Sequence, residues 1–493
     1  MEALNGIGLE VAGLSCRYER DWVIKNLSFS VKPGEALAVV GPSGSGKTTL
    51  AYCLTGIIPQ KIEAEVRGRI LVDGRDVSNS PIRENAKLIG VVLQNYEMQI
   101  FGLTVEEDLV FGLENLGLDE VEISSRLEWA LETFGLRKYR SYHVHELSGG
   151  LRQRLAIASS VITAPKYLVM DDPTANLDWR GIVELRKTLQ RLKEEGKGLT
   201  LMVRRLKGLE PVIDKIIEIK ANNRSISNLS SQEPELQASK PGAEISLRFE
   251  GVWFRYSGDR DYALRDIWLN IEGGKCIALM GPNGSGKTTL VKHVNGLLKP
   301  TKGRVLVLGK DTRNYSPAQL AKHVAFVFQD PDKHIVCETV WEEVTFGPRN
   351  LGLGYEYAEE ALRILGLLDR KEDPPYLLST GEKIRLSMAG ALAMNPEILV
   401  LDEPTTGQDE ETLSIMASMI KRLKSMGRTI VVVTHDSDFA AAASDEIIVV
   451  RDGALAARGK PEEILLNNSL IEEFELEPLS SKSRGSVEVM APG

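Results

Sequence analysis

Ten residues occur twice in this chain almost letter for letter, as GPSGSGKTTL at Gly41–Leu50 and GPNGSGKTTL at Gly281–Leu290, 240 residues apart. Three further stretches recur in the same order: LQNYEMQIFGLTVEEDLVFG (93–112) with FQDPDKHIVCETVWEEVTFG (328–347), ELSGGLRQRLA (146–156) with LLSTGEKIRLS (377–387), and YLVMDDPTANLD (167–178) with ILVLDEPTTGQD (398–409). A repeat of this length is a whole domain written twice. The spacing shortens from 240 to 235 and then 231, so the first copy holds two small additions, one within 58–68 and one between Gln94 and Ser148. Both are expected in loops. The 493 residues divide into a first domain at 1–220, a linker at 221–244 rich in Ser, Asn and Gln, a second domain at 245–465 and a tail at 466–493. A flexible linker of this length spans about 25–30 Å, enough for two domains to lie face to face. Within the tail, residues up to about 479 read as a short helix and the remainder as disordered.

The repeated motif has the form GxxxxGK[ST] and sits between an apolar run and a helix-like segment in both copies. Ala36–Val40 and Cys276–Met280 read as buried strands, with helices expected over Lys47–Leu54 and Lys287–Val294. Between strand and helix, Gly41, Ser43, Gly44 and Gly46, and their counterparts Gly281, Asn283, Gly284 and Gly286, let successive backbone N–H groups turn inward toward phosphate oxygens. Lys47 and Lys287 reach the β- and γ-phosphates, Thr48 and Thr288 offer a hydroxyl to Mg²⁺, and Thr49 and Thr289 complete the turn. Asp171 and Asp402 each end an apolar run, at the strand edge where an acid holds the hydration shell of Mg²⁺. Directly after them come Asp172 in the first copy and Glu403 in the second. Glu403 is placed to orient an attacking water, and Asp172 is one methylene shorter than in-line attack requires.

Charge narrows the partners. The formal net charge of −9 gives no general attraction to nucleic acid, so none is expected as a partner. No run of residues approaches the ~18 apolar positions of a membrane span, and the sequence MEALNGIGLEVAG has neither the basic nor the apolar region of a secretory signal. The expectation is a cytoplasmic protein. Cys16, Cys53, Cys276 and Cys337 form no CxxC pair, and His143 and His145 have no third ligand nearby, so neither zinc nor a disulfide framework is indicated.

Taken together, the phosphate loops, the glutamines Gln94 and Gln329 after a strand, the LSGG-type segments and the strand-end acids resemble the ATP-binding-cassette ATPases, over nearly the whole chain outside linker and tail. The resemblance implies an α/β fold of two tandem P-loop NTPase domains, each a mostly parallel sheet core with a helical subdomain. It implies ATP and Mg²⁺, the metal shell being completed by Gln94 and Gln329 beside Thr48, Asp171, Thr288 and Asp402. It makes Ser148, Gly149 and Gly150, and Ser379 and Gly381, the signature residues, Asp178 and Asp409 the acids of the following loop, and Tyr18 and Tyr256 the adenine-stacking aromatics, for which a surface tyrosine is the alternative. Glu403, His435, Gln329, Lys287 and Ser148 become the catalytic set. In the family two domains pair head to tail, so each phosphate loop meets the other copy's signature.

The departures from the pattern gather on one side of that pairing. Matching GLTLMVRRLKGL (198–209) to GRTIVVVTHDSDF (427–439) sets Arg205 or Leu206 where His435 stands, so the first copy has no such histidine. The first copy also has Asp172 for glutamate, and the second has Thr380 and Glu382 inside its signature. Cross-paired, these changes fall in one composite site and leave the other intact, which predicts one hydrolytic and one mainly nucleotide-holding site. The segments after Gln94 and Gln329 are similar to those of energy-coupling-factor importer ATPases, with Tyr96 in place of proline and Lys333-His334 in place of the usual pair. That resemblance implies a membrane scaffold subunit, a separate subunit that captures a vitamin or metal ion, attachment to the cytoplasmic face of the membrane, and a groove lined by Ile100, Phe101, Ile335 and Val336. Two rivals are a sugar-importer ATPase, where the second copy typically carries the damage, and a ribosome-acting tandem ATPase, which usually has a long charged linker.

Overall fold

A computed structural model describes residues 7–19, 21–175, 177–220, 245–480 and 483. The linker 221–244 and most of the tail beyond 480 lie outside the described residues. Two compact units emerge, formed by Met1–Leu177 with Gly181–Asn223 and by Asp178–Arg180 with Arg224–Gly493.

The core of the first unit is a five-stranded parallel sheet in the order Ile89–Val92, Tyr167–Asp171, Gly198–Val203, Ala36–Val40, Lys215–Glu218. Its central strands are buried at every position but Val40, which explains their continuous apolar runs. The second unit repeats the order as Val324–Val327, Ile398–Asp402, Thr429–Val433, Cys276–Met280, Glu446–Arg451, and adds the antiparallel strand Ala454–Gly459. Each unit also has a four-stranded antiparallel sheet, around Leu9–Tyr18 and Ile245–Phe254 respectively. Both expected strands before the phosphate loops have the expected bounds.

The helix after the first loop runs Lys47–Thr55 and stops at Gly56, left-handed at φ 79°. Its counterpart is shorter, Lys287–Val291, than the expected Lys287–Val294. His293 is the reason. Its Nδ1 lies 2.8 Å from the Thr289 carbonyl, the oxygen its own amide would use in an α-helix, and that amide bonds Leu290 at 3.2 Å instead.

The helical subdomains comprise Val105–Asn115, Glu120–Thr133 and Gly149–Val161 in the first unit, and Val340–Leu351, Ala358–Ile364 and Thr380–Ala393 in the second. The addition expected in a loop between Gln94 and Ser148 is instead helical: Glu120–Thr133 has 14 residues against 7 in Ala358–Ile364. The addition, 235 falling to 231, supplies four of those seven residues, close to one turn, so an insertion of that size returns the same face to the core. The start of the tail also differs from expectation. Helices Pro461–Leu465 and Asn468–Glu473 are separated by an Asn467 cap, and Phe474, Leu476 and Leu479 join Ala278, Met280, Ile447 and Val449 in one buried cluster. Residues 466–480 therefore belong to the second domain's core, because the outer face of its sheet is apolar and takes them as cover.

Candidate active site

In both units the phosphate loop is held closed by its own lysine. Lys47 Nζ donates to the Gly41 and Pro42 carbonyls at 2.7 and 2.6 Å, and Lys287 Nζ to Gly281 and Pro282, both at 2.8 Å. Burial pushes the Lys287 ammonium down, and the Glu403 carboxylate opposes that shift. Gly46 and Gly286 open the helices at φ 92° and 104°, where a Cβ would lie 2.8 Å from Val23 and 2.7 Å from the Ala263 carbonyl, so only glycine fits. Gly44 and Gly284 face open space. Ser43 and Asn283 stand beside them on the same rim.

Behind each loop the threonine meets the strand-end acid. Thr48 Oγ1 donates to Asp171 Oδ2 at 2.7 Å and Thr288 Oγ1 to Asp402 Oδ1 at 3.0 Å. Burial pushes the Asp402 carboxyl up to about 6 against the Thr288 bond, and burial likewise raises Asp171. Tyr18 and Tyr256 come to the same helices, their hydroxyls 3.2 Å from Thr49 and 3.0 Å from Thr289. Gln94 and Gln329 are exposed, two residues beyond the strands Ile89–Val92 and Val324–Val327.

The second acids have different neighbours. Glu403, left-handed at φ 52°, lies 2.9 Å from His435 Nε2. Asp172, at φ 49°, lies 3.3 Å from Arg204. Strand register decides the correspondence: Tyr167 pairs Gly198 as Ile398 pairs Thr429, and the Asp172 amide bonds Met202 as the Glu403 amide bonds Val433. The counterpart of His435 is therefore Arg204, which corrects the expectation of Arg205 or Leu206. That expectation matched Gly198 to Gly427, one turn residue to one strand residue.

The signature serines each cap a helix, in different states. Ser148 Oγ accepts the Leu151 amide at 3.4 Å, with Gly149 and Gly150 in the first turn. Ser379 Oγ donates to Glu382 at 2.8 Å, and that carboxylate also takes the Ser379 amide at 2.8 Å and Arg370 at 2.9 Å. Burial alone would push the Glu382 carboxyl up, but the Ser379 bonds and the Arg370 charge outweigh it and hold it low. Gly381 sits beside Gln408, and Asp409 caps the helix Glu410–Ser425. An ion pair ties the glutamine loop to the signature helix in each unit, Glu97 to Arg152 at 2.9 Å and Asp332 to Lys383 at 2.5 Å.

A family model described as ABC transporter matches residues 24–175 and again 264–406. The chain belongs to the ABC transporter family. A putative ABC transporter ATP-binding protein of Methanosarcina acetivorans is 31% identical over 93% of this chain and 86% of its own. A putative HMP/thiamine import ATP-binding protein of Bacillus subtilis, YkoD, is 30% identical over 92% of each. The crystal structure of an archaeal ribosome recycling factor, aABCE1, in complex with the stalk protein aP1 has a TM-score of 0.61 over 94% of this chain and 95% of that one, at 22% identity, which shows a shared fold.

As an ABC transporter ATPase, the chain binds and hydrolyses ATP with Mg²⁺. The donor set fits both: an open glycine rim with a buried ammonium for phosphates, and paired hydroxyl and carboxylate oxygens for a hard divalent cation. Thr48 with Asp171, and Thr288 with Asp402, would hold Mg²⁺, whose charge would offset that of the phosphates. Among the described residues of this ABC ATPase, no helix is long and apolar enough to cross a membrane.

Two parts of the site escaped the sequence reading. Arg204 is one. The other is the acid pair Asp108 and Glu343, read only as part of a family pattern. Asp108 accepts the Phe101 and Gly102 amides at 2.8 and 3.1 Å and the Ser159 hydroxyl at 2.6 Å, and Glu343 accepts the Val336 and Cys337 amides, each at 3.0 Å. These carboxylates shape the segment expected to line a groove. In that segment Ile100 is half-buried and Ile335 packs on the core, whereas Phe101 and Val336 are 70% and 67% exposed. Phe101 and Val336 thus present more of their side chains outward than the two half-buried isoleucines do.

Proposed function

We propose that this ABC ATPase powers uptake of a small solute, a vitamin or metal ion, through separate membrane subunits, with one hydrolytic and one nucleotide-holding site. The observation that carries the division is the difference between Glu403 with His435 and Asp172 with Arg204. A glutamate held by an imidazole can orient water and exchange a proton, whereas an aspartate held by a guanidinium has a shorter reach and a partner that stays protonated. Paired head to tail, the second copy's Lys287, Gln329, Glu403 and His435 would meet Ser148 of the first copy. The site of Lys47, Asp171 and Asp172 would meet Ser379, whose hydroxyl already donates to Glu382.

Uptake is favoured over action on ribosomes by the thiamine-import relative, similar over nearly the whole length of both chains, against a likeness to the ribosome recycling factor that rests on fold. Phe101, with Met98, Leu103 and Phe111, in the first unit, and Val336 in the second, are exposed apolar side chains suited to contact with helices of a membrane scaffold subunit. Attachment would then be peripheral, on the cytoplasmic face.

Steady-state hydrolysis tests the division. Glu403→Gln should lower Mg²⁺-dependent turnover about 10²-fold or more, the scale of lost acid–base and electrostatic assistance. Asp172→Asn should cost far less, and equal losses would end the one-site reading.

A further inference from the structure

We propose that Arg204 binds the phosphates of nucleotide in the first copy and retains nucleotide there by its permanent charge; this deepens the reading of that copy as the holding site and rests on it. Position comes first. Val203 is the last residue of its strand, and its carbonyl accepts the Gly41 amide at 3.2 Å, so Arg204 follows directly at the root of the phosphate loop. It occupies the register of His435, beside the strand-end acids Asp171 and Asp172.

The contact with Asp172 does not use up the guanidinium. Both side chains are largely buried, at 11% and 8% exposure, and the nitrogen–oxygen distance is 3.3 Å, yet Asp172 Oδ2 accepts no hydrogen bond. The pair is a charge contact without the aligned fork that arginine and carboxylate adopt when they serve only each other. A guanidinium has five N–H donors and fits the oxygens of a phosphate as well as those of a carboxylate.

Charge balance gives the consequence. Around the first loop Lys47 and Arg204 face Asp171 and Asp172; around the second Lys287 and Lys292 act on Asp402, and the acid Glu403 meets an imidazole in place of the guanidinium. The difference is one of place: only in the first copy does a fixed positive charge stand beside the second acid, at the root of the phosphate loop. The same residue cannot give up a proton, so the exchange favours retention over turnover.

The test uses the full chain carrying Lys287→Ala, in which nucleotide remaining bound is held by the first copy, and follows release of labelled ATP in Mg²⁺. Arg204→Ala and Arg204→His should release it at least tenfold faster, and Arg204→Lys should keep most of the retention. Unchanged release from Arg204→Ala, or a Lys287→Ala chain that binds no nucleotide, would overturn the proposal. The double variant Arg204→Gln with Asp172→Asn removes both charges and guards against simple unfolding. It should still release fast, and recovery of tight binding would mean that Arg204 only neutralises Asp172. Turnover of Asp172→Asn against Glu403→Gln is read separately, so a failure of the one-site reading remains distinct from slow release that does not depend on Arg204.

Discussion

A single methylene separates Asp172 from Glu403, and the larger difference lies in what each one meets: a fixed cation in the first copy, a titratable ring in the second. His293 shows the same logic away from the chemistry. Burial pushes its imidazole down to about 4, the Thr289 carbonyl working against the shift, and its Nε2 has no partner. The unfolded ring takes a proton near pH ~6.5. Between these limits the unfolded chain binds more protons, so this residue's contribution to stability falls as pH drops from about 6.5 to about 4, by on the order of 2–3 kcal/mol. Denaturant titrations across that range should show the decline, and a His293→Leu variant should flatten it; an unchanged slope would mean the ring is charged when folded. The phosphate loops, their lysines and the strand-end acids were legible because each is tied to its motif by a few residues of chain. Arg204 was not, since its role depends on register across three strands, and a chance glycine match displaced the alignment.

Elements were legible where one face is buried on both sides, as in Ala36–Val40 and Cys276–Met280, and less so where side-chain bonds set the boundary. The Lys287–Val291 helix ends early through His293, and the added residues of the first copy extend a helix by about a turn, where length alone had suggested a loop. The segment after the glutamine loop is likewise fixed by carboxylates on the next helix. Asp108 is buried and holds three donors, whereas Glu343 holds two amides of a more exposed loop. Removing a buried acceptor leaves those donors unpaired, so Asp108→Ala should cost about 2–4 kcal/mol in chemical denaturation, and Glu343→Ala less. Equal costs would show that burial of the acid is not what matters.

At the scale of the whole molecule, the duplication supplies two similar sites, and under the proposed head-to-tail pairing their differences gather in one of them. The tail shows how composition misleads at this scale: residues up to about 479 read as a short helix outside the second domain, but Phe474, Leu476 and Leu479 complete its core. The proposed docking surface makes a prediction about location. Phe101→Asp with Val336→Asp should leave nucleotide binding intact and release the chain from membranes of its native cells, and a variant that still sediments with membranes would remove that surface from the account. The central proposal is that Ser148 and Lys287, far apart in sequence, act on one ATP. Residues acting as one unit lose activity non-additively. A double-mutant cycle on single-turnover hydrolysis measures this directly: Ser148→Ala and Lys287→Ala should each nearly abolish the reaction, the double variant should be little worse than the poorer single one, and Ser379→Ala should be mild. Harmless Ser148→Ala with severe Ser379→Ala would contradict the pairing, and with it the assignment of Glu403 and His435 to the hydrolytic site.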